Sequence, residues 1–393
     1  MNSQRMKQVL LVLPCYKRAK TLWGSLAGVP SGSGRLSIGP TQRVPPRSQP
    51  AGGGNQPPRR LSTCPTSMAH AVCNTVILVI ALTLPLCAQV KITQQGKDKI
   101  SVEIDGKPFT DFYVGPATAK PYLHPLRTAD GKVVTRGFPM VTDIPGEAHD
   151  HPHHRGLWFT HGDVNGYDFW ANEESQPGAG KGKGRVVLER VDKFATGKKS
   201  GTVSASFAWK IPSGETLLIE SRKMTFYSDP QLRTIDFDIT LSPQQEVRFG
   251  DTKEGMFAMR VAAALEEDQP KDIAEPKRTG KIVNAQNKSS EKNVWGKRSE
   301  WLDYSGRIDG AAVGIALFDH PSNPRYPTYW HVRAAGLLAS NIFGLHDFER
   351  DPSRDASLSI RPGQPLRFRY RVIVHPGDVN TAGIRDAYET WAR

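Results

Sequence analysis

Cysteine is absent from most of this 393-residue chain, because all four cysteines lie before residue 89. A chain that begins at Gln89 can form no disulfide, and no thiolate can serve it as nucleophile or metal ligand. Such a chain would still have 305 residues, enough to bury a sizeable core without cross-links.

Carboxylates are missing from residues 1–67, which contain ten Lys or Arg and no Asp or Glu. This segment supplies most of the net charge of +13, so the remainder of the chain carries only +3. A nearly neutral body argues against nucleic acid as a partner. The segment is rich in Gly, Pro, Ser and Arg and has no apolar periodicity, so we interpret it as a non-native or disordered N-terminal extension.

Long apolar runs are scarce. The run Val76–Leu86 is too short for a membrane span, which needs about 20 residues. Its length fits the core of a signal peptide over residues 68–88, with translation starting at Met68. We therefore expect a periplasmic or secreted protein whose mature chain has no membrane span.

Apolar residues alternate with polar or small ones in three segments, 203–209, 235–241 and 366–374. Strict alternation places one face of a strand against a core and the other towards solvent. We predict that residues 89–393 form a single all-β domain, a large antiparallel two-sheet sandwich.

Helical periodicity is clear only at the C-terminus, in residues 379–393, where apolar residues recur at three- and four-residue spacing. Asn380 or Thr381 is the expected N-cap of this short helix. Residues 266–297 are charged and interrupted by Pro and Gly, which predicts a long surface loop. The chain shows no Gly-rich phosphate loop.

The segment DHPHHRGLWFTHGDVNG, residues 150–166, concentrates four of the eleven histidines. Imidazoles in this pattern suit a divalent transition metal such as zinc, copper or iron. Two known metal patterns are incomplete here, because a cupin would need Glu near Arg155 and a binuclear hydrolase would need Asp at His153. The candidate ligand set is His149, His151, His153 and His161.

The same segment also suits acid–base chemistry without a cofactor. Neutral His153 or His154 would be the general base, and Arg155 would keep the imidazoles neutral and polarise the substrate. Segments 251–262 and 319–348 add Glu254 and His331 as partner acids. Trp158 and Trp330 would form a stacking platform for a sugar ring. The candidate substrate-binding residues are Trp158, His161, Asn165, Arg260, Trp330 and Asn341.

Four elements, HPHHRGLWFTHGDVNGYDFW, KEGMFAMRVA, WLDYSG and HPSNPRYPTYWHVR, resemble a bacterial family catalogued under a methane-oxygenase (PmoA) label. That resemblance implies an exported protein and, by the label, a metal-dependent oxygenase. The long alternating strands are similar in architecture to the super-sandwich of aldose mutarotases, which implies acid–base chemistry on a pyranose.

Three hypotheses follow. The first is an exported enzyme that acts on a saccharide by acid–base chemistry, as a hydrolase, lyase or epimerase, with no cofactor expected. The second is a metal-dependent enzyme, an oxygenase if the family label holds. The third is a non-catalytic carbohydrate-binding module that uses the same aromatic and polar surface. The oligomeric state is not encoded in any of these patterns.

Overall fold

The computed structural model describes residues 89–393, so the expectations for residues 1–67 and 68–88 lie outside the described residues. The described part contains these strands in chain order: β1 Val90–Gln95, β2 Lys99–Ile104, β3 Lys107–Tyr113, β4 Tyr122–His124, β5 Leu157–His161, β6 Arg185–Ala195, β7 Ser200–Lys210, β8 Thr216–Tyr227, β9 Arg233–Pro243, β10 Val247–Phe249, β11 Gly255–Arg260, β12 Lys281–Asn284, β13 Trp301–Ile308, β14 Ala311–Asp319, β15 Tyr329–Val332, β16 Leu337–Asn341, β17 Leu358–Ile360 and β18 Leu366–Pro376. The helices are a 3-10 turn Ala263–Leu265, α1 Glu291–Val294, α2 Leu345–Glu349 and α3 Ile384–Ala392.

Two large antiparallel sheets contain most of these strands. The first has the spatial order β1, β2, β3, β4, β5, β11, β16 and β15, and the second has the order β12, β13, β14, β18, β9, β8, β7 and β6. Strands β10 and β17 form a separate two-stranded sheet. The predicted fold class, an all-β two-sheet sandwich with a short C-terminal helix, is therefore confirmed. No helix within residues 89–393 is long and apolar enough to cross a membrane.

The main core lies between the two large sheets. The ring of Phe257 on β11 stacks on Tyr370 of β18 at 4.5 Å between centroids, and Phe159 on β5 lies 5.6 Å from Phe368 of β18. These contacts follow from the predicted alternation, since every second residue of β18 points to the other sheet. Aromatic pairs of this kind add about 0.5–1.5 kcal/mol beyond their buried area.

Helix α3 covers the outer face of the second sheet. Tyr388 and Trp391 pack their rings on Phe318 of β14, with centroids 5.4 and 5.9 Å apart. The helix begins later than the sequence suggests, because Gly383 is its N-cap residue. The Thr381 hydroxyl is instead bonded to the turn at Asp378, so it is not available to cap the helix.

The segment 266–297 is not simply a surface loop. It contains β12, which pairs with β13 at the edge of the second sheet, and the short helix α1. The sequence concealed both elements because the strand is only four residues long and the helix only one turn, below the length at which periodicity is visible.

Candidate functional site

The outer face of the first sheet carries a small cluster of residues that is separate from the main core. Trp158, Ala258 and Leu337 belong to this cluster, whereas their neighbours in the chain Leu157 and Met259 point into the space between the sheets. The alternation of strands β5, β11 and β16 therefore presents one row of side chains on this face.

A cavity of about 520 Å³ opens over this row. It brings together six residues that the sequence singled out on three separate segments, namely His151, His153, His154, Glu254, Arg260 and His331. Asp150, Trp170 and Arg333 also line it. We call it the histidine cavity.

The histidine segment enters strand β5 through a tight turn. The amide of His154 donates to the carbonyl of His151 at 3.0 Å, and His151 itself has a φ of 45°. At Gly156, with φ of 53°, a Cβ would lie 2.1 Å from the Leu123 carbonyl oxygen. Only glycine allows this approach to strand β4. The turn therefore fixes where the histidines lie over the sheet.

The imidazole of His154 lies between two other rings. His151 stacks on it at 4.9 Å and Trp158 at 5.2 Å, with interplanar angles of 8° and 19°. Its Nδ1 lies 3.3 Å from Nη1 of Arg260. Because a guanidinium can only donate, Nδ1 accepts and the proton of His154 is on Nε2. That Nε2 is buried and has no hydrogen-bond partner within residues 89–393.

Burial lowers the pKa of His153 to about 2 and holds the pKa of His154 well below its ordinary value. The positive charge of Lys120 lowers the pKa of His153 further, and that of Arg260 lowers the pKa of His154 further. The two imidazoles are therefore neutral near pH 7. The side-chain amide of Gln176 donates to Nδ1 of His153 at 2.8 Å, so the proton of His153 is also on Nε2.

Arg155 does not have the position that the sequence suggested. Its Nε and Nη2 each donate to a carboxylate oxygen of Glu173 at 2.8 Å, and its guanidinium lies over the Tyr122 ring. It lies outside the lining of the histidine cavity. The two-point contact with Glu173 holds its guanidinium away from the cavity. The cations near the imidazoles are instead Lys120 and Arg260.

Lys120 holds Trp170, one of the residues that line the histidine cavity, in place. It is fully buried, and its Nζ donates to the carbonyl of Trp170 at 2.9 Å and to Oδ1 of Asn172 at 2.8 Å. Burial lowers the pKa of Lys120 to about 8, although the nearby Glu173 carboxylate opposes this shift. The contacts fix Trp170, whose Nε1 is buried without a partner in the described chain.

Glu254 lies at the end of the segment that precedes β11. Burial raises the pKa of its carboxyl above the ordinary value, and the ammonium group of Lys253, 3.5 Å from Oε1, opposes that shift. The chain packs closely here, since a Cβ at Gly162 would lie 2.9 Å from that of Glu254. Asn341 donates from Nδ2 to the Thr252 carbonyl at 2.8 Å, which fixes the segment.

His331 lies on β15, and its Nδ1 is 3.0 Å from the carbonyl oxygen of Lys253. A carbonyl can only accept, so the proton is on Nδ1 and Nε2 keeps its lone pair. Burial, with a contribution from Arg333, lowers the pKa of His331 to about 3. No hydrogen bond is made to its Nε2 by any residue from 89 to 393.

Arg260 connects the histidines to a carboxylate. Its Nη2 lies 3.5 Å from Oδ1 of Asp150, which also accepts from Nη1 of Arg136 at 2.6 Å. A hydrogen bond from His151 is the main reason why the pKa of Asp150 is far below its ordinary value. Nη2 of Arg260 also lies 3.8 Å from Oε1 of Glu266, so this buried guanidinium is paired with two carboxylates.

The four candidate metal ligands do not converge. His161 donates from Nε2 to the Gly250 carbonyl at 2.8 Å and packs against Phe343, and His149 stacks on Phe138 at 4.7 Å. Only His151 and His153 lie near each other, with ring centroids 5.6 Å apart. Within residues 89–393 no group of three or more His, Cys, Asp or Glu is placed to hold a metal ion. The described residues thus do not fit the implied metal.

The remaining predicted binding residues lie elsewhere. Trp330 is fully buried in the main core and donates from Nε1 to the Ser299 carbonyl at 3.0 Å, while Trp158 is covered by His154. They therefore cannot form one sugar platform. Asn165 is in a turn, where its Oδ1 accepts from the amide of Arg248 at 2.7 Å.

Sequence reasoning did not assign roles to Lys120, Arg136, Asp150 or Trp170. The first two come from irregular segments that carry no alternation, so no sequence signal marks them. Asp150 is the first residue of the histidine segment and Trp170 follows it closely, so both could have been included on proximity alone.

Comparison with known proteins gives one family. The model of DUF6807, described as a family of unknown function, matches residues 99–389. No curated protein matches the sequence. The methane-oxygenase label stays a prediction from the motifs.

Some solved structures share part of the architecture. A galactose mutarotase-like protein from Clostridium acetobutylicum is 10% identical with a TM-score of 0.36, covering 73% of this chain and 98% of that one. A galactose mutarotase related enzyme from Lactobacillus acidophilus is 8% identical with a TM-score of 0.30, covering 74% and 98%. An alpha-galactosidase from Lactobacillus brevis is 8% identical with a TM-score of 0.37, and the match covers 74% of this chain but only 40% of that one. Likeness at this level assigns no activity.

Proposed function

We propose that this chain, which belongs to the DUF6807 family, is an enzyme that acts on a saccharide by acid–base chemistry in the histidine cavity. Glu254 would deliver a proton and Nε2 of His331 would accept one. The observation that carries the proposal is the shared position of these two groups, since the His331 ring is hydrogen-bonded to the peptide that precedes Glu254.

Glu254 has the properties of a proton donor. Burial favours the neutral form of its carboxyl, which raises its pKa towards the range in which an enzyme works. Asp150 lies in the same cavity but is kept ionised by its hydrogen bond from His151 and by two arginines. The environment therefore shifts the pKa values of the two carboxyl groups in opposite directions.

His331 suits the role of acceptor better than His153 or His154 does. Both of those imidazoles hold their proton on Nε2 and have Nδ1 occupied by a donor, so they present N–H groups. His331 has the opposite tautomer, with a free Nε2 lone pair. Its low pKa makes it a weak base alone, but a carboxylate left on Glu254 would favour the imidazolium.

This pair fits the cleavage of a bond to oxygen. One group takes a proton from water or from a sugar carbon, and the other gives a proton to the departing oxygen. His151 and Arg333 line the cavity with side chains that reach solvent, and they would bind sugar hydroxyls.

The test is product analysis with the full chain and a panel of neutral and acidic oligosaccharides. Reducing ends report hydrolysis, absorbance of unsaturated sugars reports elimination, and proton exchange by NMR reports epimerisation. Turnover of one saccharide is the expected result. Binding without any product would instead favour a non-catalytic module.

The metal-dependent hypothesis has its own measurement. Elemental analysis by plasma mass spectrometry of the untagged chain should find less than one equivalent of copper, zinc or iron. One equivalent that is lost in a His151→Ala/His153→Ala double variant would favour a metal enzyme instead.

A further inference from the structure

A second cavity, of about 870 Å³, opens beside the histidine cavity. Its aromatic lining consists of Trp295, Tyr329 and Phe348, and the Phe348 ring lies 5.6 Å from Trp295 and 5.4 Å from Tyr329 between centroids. We call it the tryptophan groove. Glu291 and Arg333 line both cavities, so the groove lies directly beside the histidine cavity.

Positive charge predominates in the tryptophan groove. Its lining contains five cations and two carboxylates, and the cations are Lys292, Lys297, Arg298, Arg333 and Arg350. Both carboxylates already have partners. Glu291 accepts from Arg333 at 2.8 Å, and Glu349 accepts from the Tyr329 hydroxyl at 2.9 Å and pairs with Arg354 at 3.0 Å.

Four of the cations form no ion pair with any residue from 89 to 393, and only Arg333 does. Arg298 donates instead to the backbone carbonyls of Pro327, Arg325 and Tyr326. Lys292, Lys297 and Arg350 are exposed and have no such contact with any described residue. The guanidinium of Arg350 lies 5.9 Å from the centre of the Trp295 ring. An anionic ligand that also has an apolar face would pair with these cations and cover the aromatic lining.

We propose that the tryptophan groove binds acidic units of an oligosaccharide whose neighbouring unit occupies the histidine cavity. This inference rests on the proposed function and names its substrate class, an acidic saccharide. Lysine and arginine side chains bind carboxylate and sulfate alike, so the acidic group is either a uronate or a sulfate ester. The pyranose rings contact the aromatic lining of the groove while their charged groups reach Lys292, Lys297 and Arg350.

Single-stranded nucleic acid also combines negative charge with stacking surfaces. The observations favour the saccharide for two reasons. Residues 89–393 carry a net charge of only +3, too little for a basic track beyond the groove. The groove also shares Glu291 and Arg333 with the cavity that contains Glu254 and His331.

The experiment is isothermal calorimetry with the full chain and four probes, namely oligogalacturonate, ι-carrageenan oligosaccharide, mannan oligosaccharide and polyuridylate. The groove variant is Lys292→Gln/Lys297→Gln/Arg350→Gln. The matched control, Lys97→Gln/Lys198→Gln/Arg307→Gln, removes the same charge from exposed residues outside both cavities. The basic segment 1–67 is present in all proteins, so its contribution cancels.

We expect one of the two acidic oligosaccharides to bind, with affinity falling about tenfold or more in the groove variant and changing less than about twofold in the control. The preferred probe distinguishes uronate from sulfate. Equal losses in both variants, stronger binding of the mannan, or tighter binding of polyuridylate would overturn the inference.

Failure of this inference is separable from failure of the proposed function. Binding that depends on the groove but gives no turnover would support the acidic-saccharide site and contradict the acid–base function. Turnover of a neutral saccharide that is unaffected by the groove substitutions would support the acid–base function and contradict the acidic-saccharide site.

Discussion

Nδ1 of His331 is 3.0 Å from the carbonyl oxygen of Lys253, the residue immediately before Glu254. One hydrogen bond thus sets the tautomer of the imidazole and its position relative to the carboxyl group. It joins strand β15 to the segment that leads into β11, although the two residues are 78 positions apart in the chain.

His331→Asn should separate the two roles of this side chain. The amide of Asn can donate to the Lys253 carbonyl as Nδ1 does, but it has no basic nitrogen. We expect kcat to fall about 10²–10⁴-fold, the usual contribution of a positioned acid–base group, while KM changes little. His149→Asn, outside the cavity, is the control. Equal kcat values for His331→Asn and the unmodified enzyme would show that His331 is not the acceptor.

The pH dependence of activity should report Glu254. A proton donor is active when protonated, so activity falls as the pH rises through the pKa of Glu254, which burial raises. The Lys253 ammonium opposes that shift, so Lys253→Gln should move this alkaline limb to higher pH. Lys97→Gln should leave it in place. A limb that moves to lower pH in Lys253→Gln would contradict the assignment.

Stability should depend on pH through His331. Its folded pKa, about 3, is below the 6.5 of an ordinary histidine, so the unfolded chain binds the proton more tightly. This contribution to stability is present above pH 6.5 and is lost as the pH falls from 6.5 towards 3. The full slope for one proton is about 1.4 kcal/mol per pH unit. Urea unfolding of His331→Asn between pH 6 and 4 should show a smaller slope than the unmodified chain, and an unchanged slope would contradict this.

Arg155 should act on stability and not on substrate binding directly. Arg155→Lys keeps the charge but loses the two-point contact with Glu173, and we expect it to lower the free energy of unfolding by about 1–3 kcal/mol. The pH–rate profile should keep its shape. Chemical denaturation and steady-state kinetics measure the two effects. A large rise in KM with unchanged stability would restore the role predicted from the sequence.

The strand pattern was visible in the sequence where one face of a strand meets the core. Segments 203–209, 235–241 and 366–374 lie in β7, β9 and β18 of the second sheet. The same alternation separates Trp330 from His331, because adjacent residues of β15 point to opposite faces. Trp330 and His331 therefore cannot both belong to the histidine cavity, contrary to the prediction from the sequence.

The meeting of Glu254, Arg260 and His331 with the histidine segment depends on sheet order. Strands β5, β11 and the β15–β16 pair are neighbours in space but are separated by long stretches of chain. No local signal specifies which strands pair across such distances, so the sequence could propose the groups but could not establish their proximity. Glu173, the partner of Arg155, lies in an irregular segment where no periodicity marks it.

The central claim is that Glu254 delivers a proton to a saccharide in the histidine cavity. Its most direct test is product formation by Glu254→Gln, beside the unmodified chain and the control Glu103→Gln, on any saccharide of the panel that the unmodified chain converts. The account predicts that Glu254→Gln binds this saccharide with similar affinity and forms product at least about a hundredfold more slowly, while Glu103→Gln is unaffected. Product formation by Glu254→Gln at the unmodified rate would contradict it.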